Sequence, residues 1–483
     1  MTLAAPKLRI LTTLTLGLLM ACGAAHAQST PPKAQSHALM ISDLHFDPFY
    51  DPAKVSQLVA APVSGWEAIL AGPDSPTQAK DYAALLKTCK AKGPDTSYPL
   101  LVSALSAIHR DAGDVRFITV SGDLMAHDFS CRFTNTLPQG TKAQFDALAE
   151  KTIEFQAREI EKTLPRATLY LSLGNNDSNC GDYKLDTNTP FLAAMAKVVG
   201  HGVGAAWSAA ASASFANGGY YSVTMAAPMQ RTRLIVVNDI FLGKSYTTCG
   251  GKADTAPAEA QIKWLTAQLD AARQLHQRVW VMGHIPPGIN PYSTLKHGPD
   301  AFCAAADKPG SGPSMFMANE SLGDTLAKNA DVIRLAIFAH THMDELRLLG
   351  PEGAGVAVKM VPSISPVDGN LPSFTVAQVD PASATLADYT VFNSQDALGS
   401  AWAKEYTFST TYGHTGFTPE TLHAVTEAFR ADADGATPES QAYMRFYPSS
   451  APTGELSPLW PGYVCALTHT HPSDYTSCVC GGH

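Results

Sequence analysis

Charge is scarce in this sequence: only 16% of its residues are Asp, Glu, Lys or Arg, and the net balance is −9. No basic run and no interleaving of basic with aromatic residues occurs, which argues against nucleic-acid recognition. A net acidic surface disfavours anionic membranes as well. Long apolar runs are also missing. The stretch Ile10 to Met20 falls short of the ~18 residues that a spanning helix needs, and no later run reaches that length, so no transmembrane segment is expected. With 45% hydrophobic residues the chain is nonetheless an ordinary globular one, long enough for two domains.

What is present begins with an export signature. Lys7 and Arg9 precede the apolar stretch, and Ala25-His26-Ala27 supplies a small-x-small cleavage site before Gln28. The sequence therefore predicts a signal peptide over residues 1–27 and a periplasmic or secreted protein. The alternative is a lipoprotein anchored at Cys22, in a box that Met20 fits poorly. Beyond the signal an even set of cysteines remains: Cys89, Cys131, Cys180, Cys249, Cys303, Cys465, Cys478 and Cys480. In an exported chain such a set favours disulfides. Cys465 with Cys478 or Cys480 is the expected local loop, closing the C-terminal tail.

Apolar runs then recur, each delivering a polar residue as it ends. Ala38 to Ile41 leads into Asp43-Leu44-His45, and Val115 to Val120 into Gly122-Asp123. Thr168 to Leu173 leads into Gly174-Asn175-Asn176-Asp177, and Leu234 to Val237 into Asn238-Asp239. Val279 to Met282 leads into Gly283-His284, and Leu335 to Phe338 into His340-Thr341-His342. Helical spacing separates most of these runs, notably over Lys142 to Leu164 (halted by Pro165) and Pro257 to Leu275. Val356 to Met360, Phe374 to Val379 and Tyr389 to Phe392 follow as strands without intervening helices. The pattern predicts an α/β sandwich of mixed sheets. Asp47 to Gly72 and Gly181 to Gly219 are read as loops that would set specificity. The expected organisation is a catalytic domain over 28–396 and a smaller helical domain over 397–483.

Strand ends on one side of a sheet form a crevice where distant residues meet. Asp43 and His45, two apart on an extended chain, would point the same way. The exits supply Asp43, His45, Asp123, Asn175, His284, His340 and His342, all oxygen or nitrogen donors suited to divalent metals. Seven donors exceed the needs of one tetrahedral ion but would serve two ions sharing a carboxylate. Singly, each has a structural reading as a helix cap, a turn or a surface residue; their joint recurrence carries the inference. His109, placed on an apolar helix face, is read as structural. Thr468-His469-Thr470-His471, near Cys478-Val479-Cys480 and His483, is read as a disulfide-closed surface tail rather than a metal site.

The series Asp43-x-His45, Gly122-Asp123, Gly174-Asn175-Asn176-Asp177, Gly283-His284 and His340-Thr341-His342 resembles the calcineurin-like metallophosphoesterases. More narrowly, the chain is similar to the acid-sphingomyelinase-like phosphodiesterases. Gly283-His284-Ile285-Pro286-Pro287-Gly288, His342-Met343-Asp344-Glu345, Pro362 to Pro366 and Leu371 to Phe374 match that group. Trp402 to Tyr406 resembles the start of its C-terminal helical region. The resemblance implies a four-layer αββα sandwich of two mixed sheets with a helical, disulfide-stapled C-terminal domain. It further implies two divalent metal ions, Zn first with Mn or Fe as alternatives. One ion would be held by Asp43, His45, Asp123 and His342, the other by Asp123, Asn175, His284 and His340. The implied reaction is hydrolysis of a small-molecule phosphodiester by in-line attack of a metal-bridging hydroxide.

One departure bears on chemistry. Asn176 stands where most of the superfamily has a His that protonates the leaving group. His127, in Ala126-His127-Asp128, matches another His of the sphingomyelinase-like group and is assigned that task, with Asp128 or a neighbour orienting it. The Gly-Asn-Asn-Asp form also resembles endopolyphosphatases, which keeps phosphoanhydrides as alternative substrates; a non-catalytic phosphate binder is the third reading. Ala126 stands where purple acid phosphatases have an iron-ligating Tyr. Only Gln28 to His37 separate the expected cleavage site from the first strand, which leaves no room for a saposin domain. Soluble diesters or nucleotides, or lipids presented by other means, are therefore expected rather than bilayer sphingomyelin.

Overall fold

Short β-branched and aliphatic runs closed by glycine and polar residues give the nine strands that the pattern predicts, and among the described residues three further strands, at Tyr221–Thr224, Glu345–Leu349 and Trp402–Thr407, lie outside that prediction. In the computed structural model these are β1 (Ser36–Ile41), β2 (Phe117–Ser121), β3 (Thr168–Ser172), β4 (Tyr221–Thr224), β5 (Thr232–Val236) and β6 (Arg278–Met282). They continue as β7 (Ile333–Phe338), β8 (Glu345–Leu349), β9 (Val356–Met360), β10 (Ser373–Asp380), β11 (Thr385–Ser394) and β12 (Trp402–Thr407). The structure describes residues 1–5, 36–306, 308–351, 353–452 and 456–481. The signal-peptide reading, with Lys7, Arg9, Cys22 and Ala27, lies outside the described residues, as does His483. Gln35–His483 form one compact unit.

Two six-stranded mixed sheets result, in the orders β12-β11-β10-β1-β2-β3 and β4-β5-β6-β7-β9-β8. β1, β2 and β3 run parallel, as do β5, β6, β7 and β9. Their inner faces share one core, where Phe117 packs edge-on against Trp280 at 5.7 Å. The indole N–H of Trp280 also donates to the Ala384 carbonyl at 2.7 Å, tying sheet to sheet. Helices Tyr98–Ala112 and Lys142–Thr163 cover the first sheet, and Ala256–Gln274 and Ser321–Lys328 the second. This is the four-layer αββα sandwich. The 142–163 helix starts on a capping box between Thr141 and Gln144, which satisfies otherwise free backbone donors, and ends just before Pro165.

Three segments differ from their sequence reading. Asp47 to Gly72 is not a plain loop but carries helices Val55–Ala60 and Trp66–Leu70, because Val55, Leu58, Val63 and Trp66 are buried in the core. Pro and Gly cut the pattern into single turns too short for a periodicity to show. Gly181 to Gly219 likewise holds helices Pro190–Val203 and Ala209–Gly218, capped by Thr189 and Ser208. Trp402 to Tyr406, expected to open a helical region, forms edge strand β12 paired with β11, and helix begins only at Phe408. Alternate residues here pack on a neighbouring strand, a tertiary contact that overrides weak local preference.

Four disulfides form: Cys89–Cys131, Cys180–Cys249, Cys303–Cys480 and Cys465–Cys478. Such bonds persist in oxidising compartments. Cys465 does close the local tail loop with Cys478, while Cys480 reaches back to a segment far away in sequence. Among the described residues no helix is long and apolar enough to cross a membrane.

Candidate metal centre

The parallel strands of both sheets end toward one another, and the loops leaving them continue their pairing for a few residues. Asp43 N–H donates to the Gly122 carbonyl at 3.0 Å and His45 N–H to the Asp123 carbonyl at 2.9 Å. The strand itself has stopped by then. Asp43, His45, Asp123, His340 and His342 have φ of 45°, 41°, 55°, 73° and 65°. Asp43 and His45 therefore converge through a left-handed turn and not, as the spacing suggested, through strand alternation. Each such non-glycine conformation costs on the order of 1 kcal/mol and persists only where packing enforces it. Five at one site mark a backbone bent to aim side chains inward.

Two glycines make the bend compatible with close packing. A Cβ on Gly174 would lie 2.1 Å from Asp123 Oδ1, and one on Gly283 would lie 2.3 Å from Asp239 Oδ2. Those carboxylates hold the backbone in place. Asp239 accepts from the N–H groups of His284 and Ile285, at 2.7 and 3.0 Å. Asp177 accepts from Leu124, Met125 and Gly174 N–H groups. The roles of both were missed in the sequence, although both end apolar runs; what they contact is invisible without the fold.

All seven expected donors meet in the resulting pocket. His45 Nε2 lies 3.2 Å from His342 Nε2, 3.4 Å from Asp123 Oδ2 and 3.8 Å from Asp43 Oδ1. His284 Nε2 lies 3.1 Å from both Asp123 Oδ2 and Asn175 Oδ1. His342 Nε2 is 3.5 Å from Asp43 Oδ1. His340 completes a cluster with Asp123 and His284, and its Nε2 is 3.1 Å from the Tyr183 hydroxyl. Two ring orientations are fixed from behind: His45 Nδ1–H donates to the Met125 carbonyl at 2.8 Å and His284 Nδ1–H to the Ser121 carbonyl at 2.7 Å. Each imidazole thus turns Nε2 into the pocket, the arrangement that fixes tautomer and direction in metal-binding histidines.

The donors fit divalent cations. Bonds of about 2.1 Å in a tetrahedron place ligand atoms about 3.4 Å apart, and the separations above straddle that value. Asp43 is completely buried, yet among the described residues neither carboxylate oxygen accepts a hydrogen bond. A buried carboxylate without such a partner is costly unless another charge compensates it.

Burial alone would pull the His45 imidazole down, but Asp43, Asp123 and Asp95 outweigh it and raise its pKa to about 9. His284 is likewise lowered by burial and raised more strongly by Asp123 and Asp43, to about 10. His340 goes the other way, to about 3, through burial and then the charge of His284. His342 falls well below its ordinary value through burial and His45. Without cations, protons on His45 and His284 thus balance the carboxylates, in the places where metals would otherwise do so.

The two remaining candidates sit beside this pocket. Asn176 donates its N–H to Asp123 Oδ1 and its Nδ2–H to Asp123 Oδ2, both at 2.9 Å. His127 stacks on His45 at 3.9 Å and shares a cluster with His45 and His342. Its orienting partner is Asp95, not Asp128: Nδ1 is 2.9 Å from Asp95 Oδ1, and its N–H donates to Oδ2 at 3.0 Å. Arg132 Nη2 donates to Asp95 at 2.9 Å and Nη1 to buried Asp47. Burial pushes Asp95 up, but His127 and Arg132 override it and hold the carboxyl at about 2. Asp95 follows Gly-Pro in a loop with no apolar run before it, so nothing in the sequence pointed to it. His471 pairs with Asp324 at 2.7 Å. Neither it nor His469 joins a metal-sized cluster among the described residues. His109 lies not on the apolar face of its helix, which Leu105 and Ile108 occupy, but on the exposed one, bonded to the Thr163 carbonyl.

Fold and donor set resemble those of the calcineurin-like metallophosphoesterases, and together with the chain's relatives they support a hydrolase of phosphoesters. Within that class its sequence relatives are the acid-sphingomyelinase-like phosphodiesterases. The chain is 23% identical over 461 residues to the cyclic GMP-AMP phosphodiesterase SMPDL3A of Rattus norvegicus, covering 91% of this chain and 90% of the relative. It is 24% identical over 462 residues to acid sphingomyelinase-like phosphodiesterase 3b of Homo sapiens, covering 91% and 89%. A dimetal phosphatase structure from Danio rerio superposes with a TM-score of 0.38 at 11% identity, over 74% of this chain and 95% of that one. No protein-family model matches the chain.

Proposed function

We propose that this chain is an exported, metal-dependent phosphodiesterase acting on small soluble phosphodiesters. The carrying observation is the buried Asp43 carboxylate, which accepts no hydrogen bond among the described residues and is faced by the Nε2 atoms of His342, His45 and His284 at 3.5, 3.8 and 3.9 Å. Asp43, His45, Asp123 and His342 would hold one cation, and Asp123, Asn175, His284 and His340 the other, with Zn preferred and Mn or Fe compatible. Bound there, cations would supply Lewis acidity toward a phosphoester and would acidify a water molecule.

The chain's own residues do the rest. Asn176 clamps the shared carboxylate of Asp123 by two hydrogen bonds, which fixes its orientation. That engagement leaves proton donation to His127, whose Nδ1 is occupied by Asp95 and whose Nε2 is the remaining donor. Arg132 and Ser365 hold Asp95 from the other side. Export is supported by the four disulfides and the signal-like leader, and the diester preference by the phosphodiesterase relatives.

A second reading, hydrolysis of phosphoanhydrides, is favoured by Asn176 itself: an amide cannot protonate a leaving group, and a departing phosphate needs less protonation. Metal analysis of the purified protein, joined to a panel of mono-, di- and pyrophosphate substrates, tests both. Chelator-sensitive turnover of diesters with two metals per chain is the expected result. Turnover of ATP and polyphosphate alone would replace the first reading by the second.

A further inference from the structure

The segment after β3 turns back onto the site it has just supplied. Leaving Asn175, the chain passes Cys180 and returns so that Tyr183 N–H donates to the Asn175 carbonyl at 2.9 Å. It is held there from the far side. Cys180 is bonded to Cys249, Thr247 N–H donates to the Tyr183 carbonyl at 3.0 Å, and Cys249 N–H donates to Asp186 Oδ1 at 2.9 Å. Tyr183 has a φ of 53°, so its backbone is bent in the same left-handed way as those of the donors themselves. A loop pinned this closely presents its side chains with little freedom.

Two of those side chains grip expected donors. Asp182 Oδ1 accepts from Asn175 Nδ2 at 2.8 Å. An amide has one acceptor end and one donor end. With its donor end on a carboxylate, Asn175 must turn Oδ1 the other way, where it lies 3.1 Å from His284 Nε2. Only that orientation offers a cation an oxygen rather than an NH2 group. Asp182 itself joins no metal-sized cluster among the described residues, so its effect runs through Asn175.

The Tyr183 hydroxyl, 3.1 Å from His340 Nε2, does the equivalent for a ring. His45 and His284 are tied through Nδ1 and turn Nε2 inward, whereas His340 is tied through Nε2, which leaves Nδ1 for a cation. With Nδ1 so engaged, the ring proton sits on Nε2 and is donated to the phenol oxygen. Tyr183 and Phe316 also meet the His340 ring edge-on, with centroids 6.2 and 5.8 Å away, which adds packing to the hydrogen bond. Among the described residues neither Asp182 nor Tyr183 hydrogen-bonds to Asp43, His45 or His342. We infer that Asp182 and Tyr183 are positioning residues for one cation only, the one assigned to Asp123, Asn175, His284 and His340. The inference rests on the two-cation reading of the site and on no particular substrate.

Competition for Zn²⁺ between the metal-stripped protein and a chromophoric chelator resolves the two affinities without turnover. Tyr183→Phe and Asp182→Ala should each weaken one of them by about 10–100-fold, the range for groups that orient metal ligands, and leave the other unchanged. Asp182→Asn, which keeps an acceptor for the Asn175 amide, should restore the lost affinity. Two ligand variants locate the effect. Tyr183→Phe should weaken the site that remains in His45→Ala and leave unchanged the site that remains in His284→Ala. Unchanged affinities, equal weakening of both, or an Asp182→Asn protein as weak as Asp182→Ala would overturn the inference. A single affinity in the parent protein would remove the two-cation reading and the inference with it. The predicted pattern in a protein that hydrolyses no diester would refute the diesterase reading and still support the inference.

Discussion

Replacing His127 by Ala separates proton donation from metal binding more sharply than any other single change. The side chain makes one hydrogen bond, to Asp95, and one stack, on His45. Asp95 would keep Arg132 and Ser365, so the fold should lose only about 1–3 kcal/mol, the usual range for a buried acceptor that loses one partner. General-acid catalysis contributes about 10²–10⁴-fold where the leaving group needs a proton. A nitrophenolate leaves without one; an alkoxide does not. The kcat ratio of an alkyl-leaving diester to a nitrophenyl diester should therefore fall by about 10²–10⁴ in His127→Ala, with metal content unchanged. His127 also lies in the cluster of His45 and His342. Equal losses on both substrates, accompanied by loss of one metal, would refute the donor role and make His127 a ligand.

Metal uptake should be linked to protons. His45 and His284, raised to about 9 and 10 by the neighbouring carboxylates, are protonated near neutral pH in the metal-free protein and must lose those protons to bind metal. Calorimetry in buffers of different ionisation enthalpy should show proton release on loading; its absence would overturn the charge picture. Because both folded pKa values exceed the ordinary histidine value of 6.5, their stabilisation of the metal-free protein is complete below pH 6.5 and lost as pH rises through about 9 to 10. Thermal melts of chelated protein should decline over that window, and a flat profile would contradict it. Asn176→Ala, which frees Asp123, should weaken metal retention by about 10–100-fold without changing the leaving-group ratio. A selective loss on alkyl esters would instead place Asn176 in proton transfer. Cys303–Cys480 closes 177 residues against 13 for Cys465–Cys478. Opening the first by Cys→Ser pairs should cost about 2 kcal/mol more in urea unfolding, on the loop-entropy account, and the reverse order would exclude that account.

Much of the fold was legible because nine of the strands are short apolar runs stopped by glycine or a polar residue, a signal contained within a few neighbouring positions; Tyr221–Thr224 and the buried but charged Glu345–Leu349 lack that signal and were missed. Asp47 to Gly72 and Gly181 to Gly219 were not: their helices are short or interrupted, and long-range packing decides them. Trp402 to Tyr406 was misread for the same reason, since only its partner strand makes it a strand.

The sequence by itself determined which donors end which strands and in what order. It also determined that Asn176 could not serve as an acid. Only the tertiary structure decided that Asp43 and His45 converge by left-handed turns, that Asp95 rather than Asp128 supports His127, and that Cys480 pairs with Cys303. It alone brought Asp182 against Asn175 and Tyr183 against His340. A strand's end is announced by its own residues. Which distant side chain a carboxylate, thiol or ring will face depends on how the two sheets pack, and no local pattern carries that information.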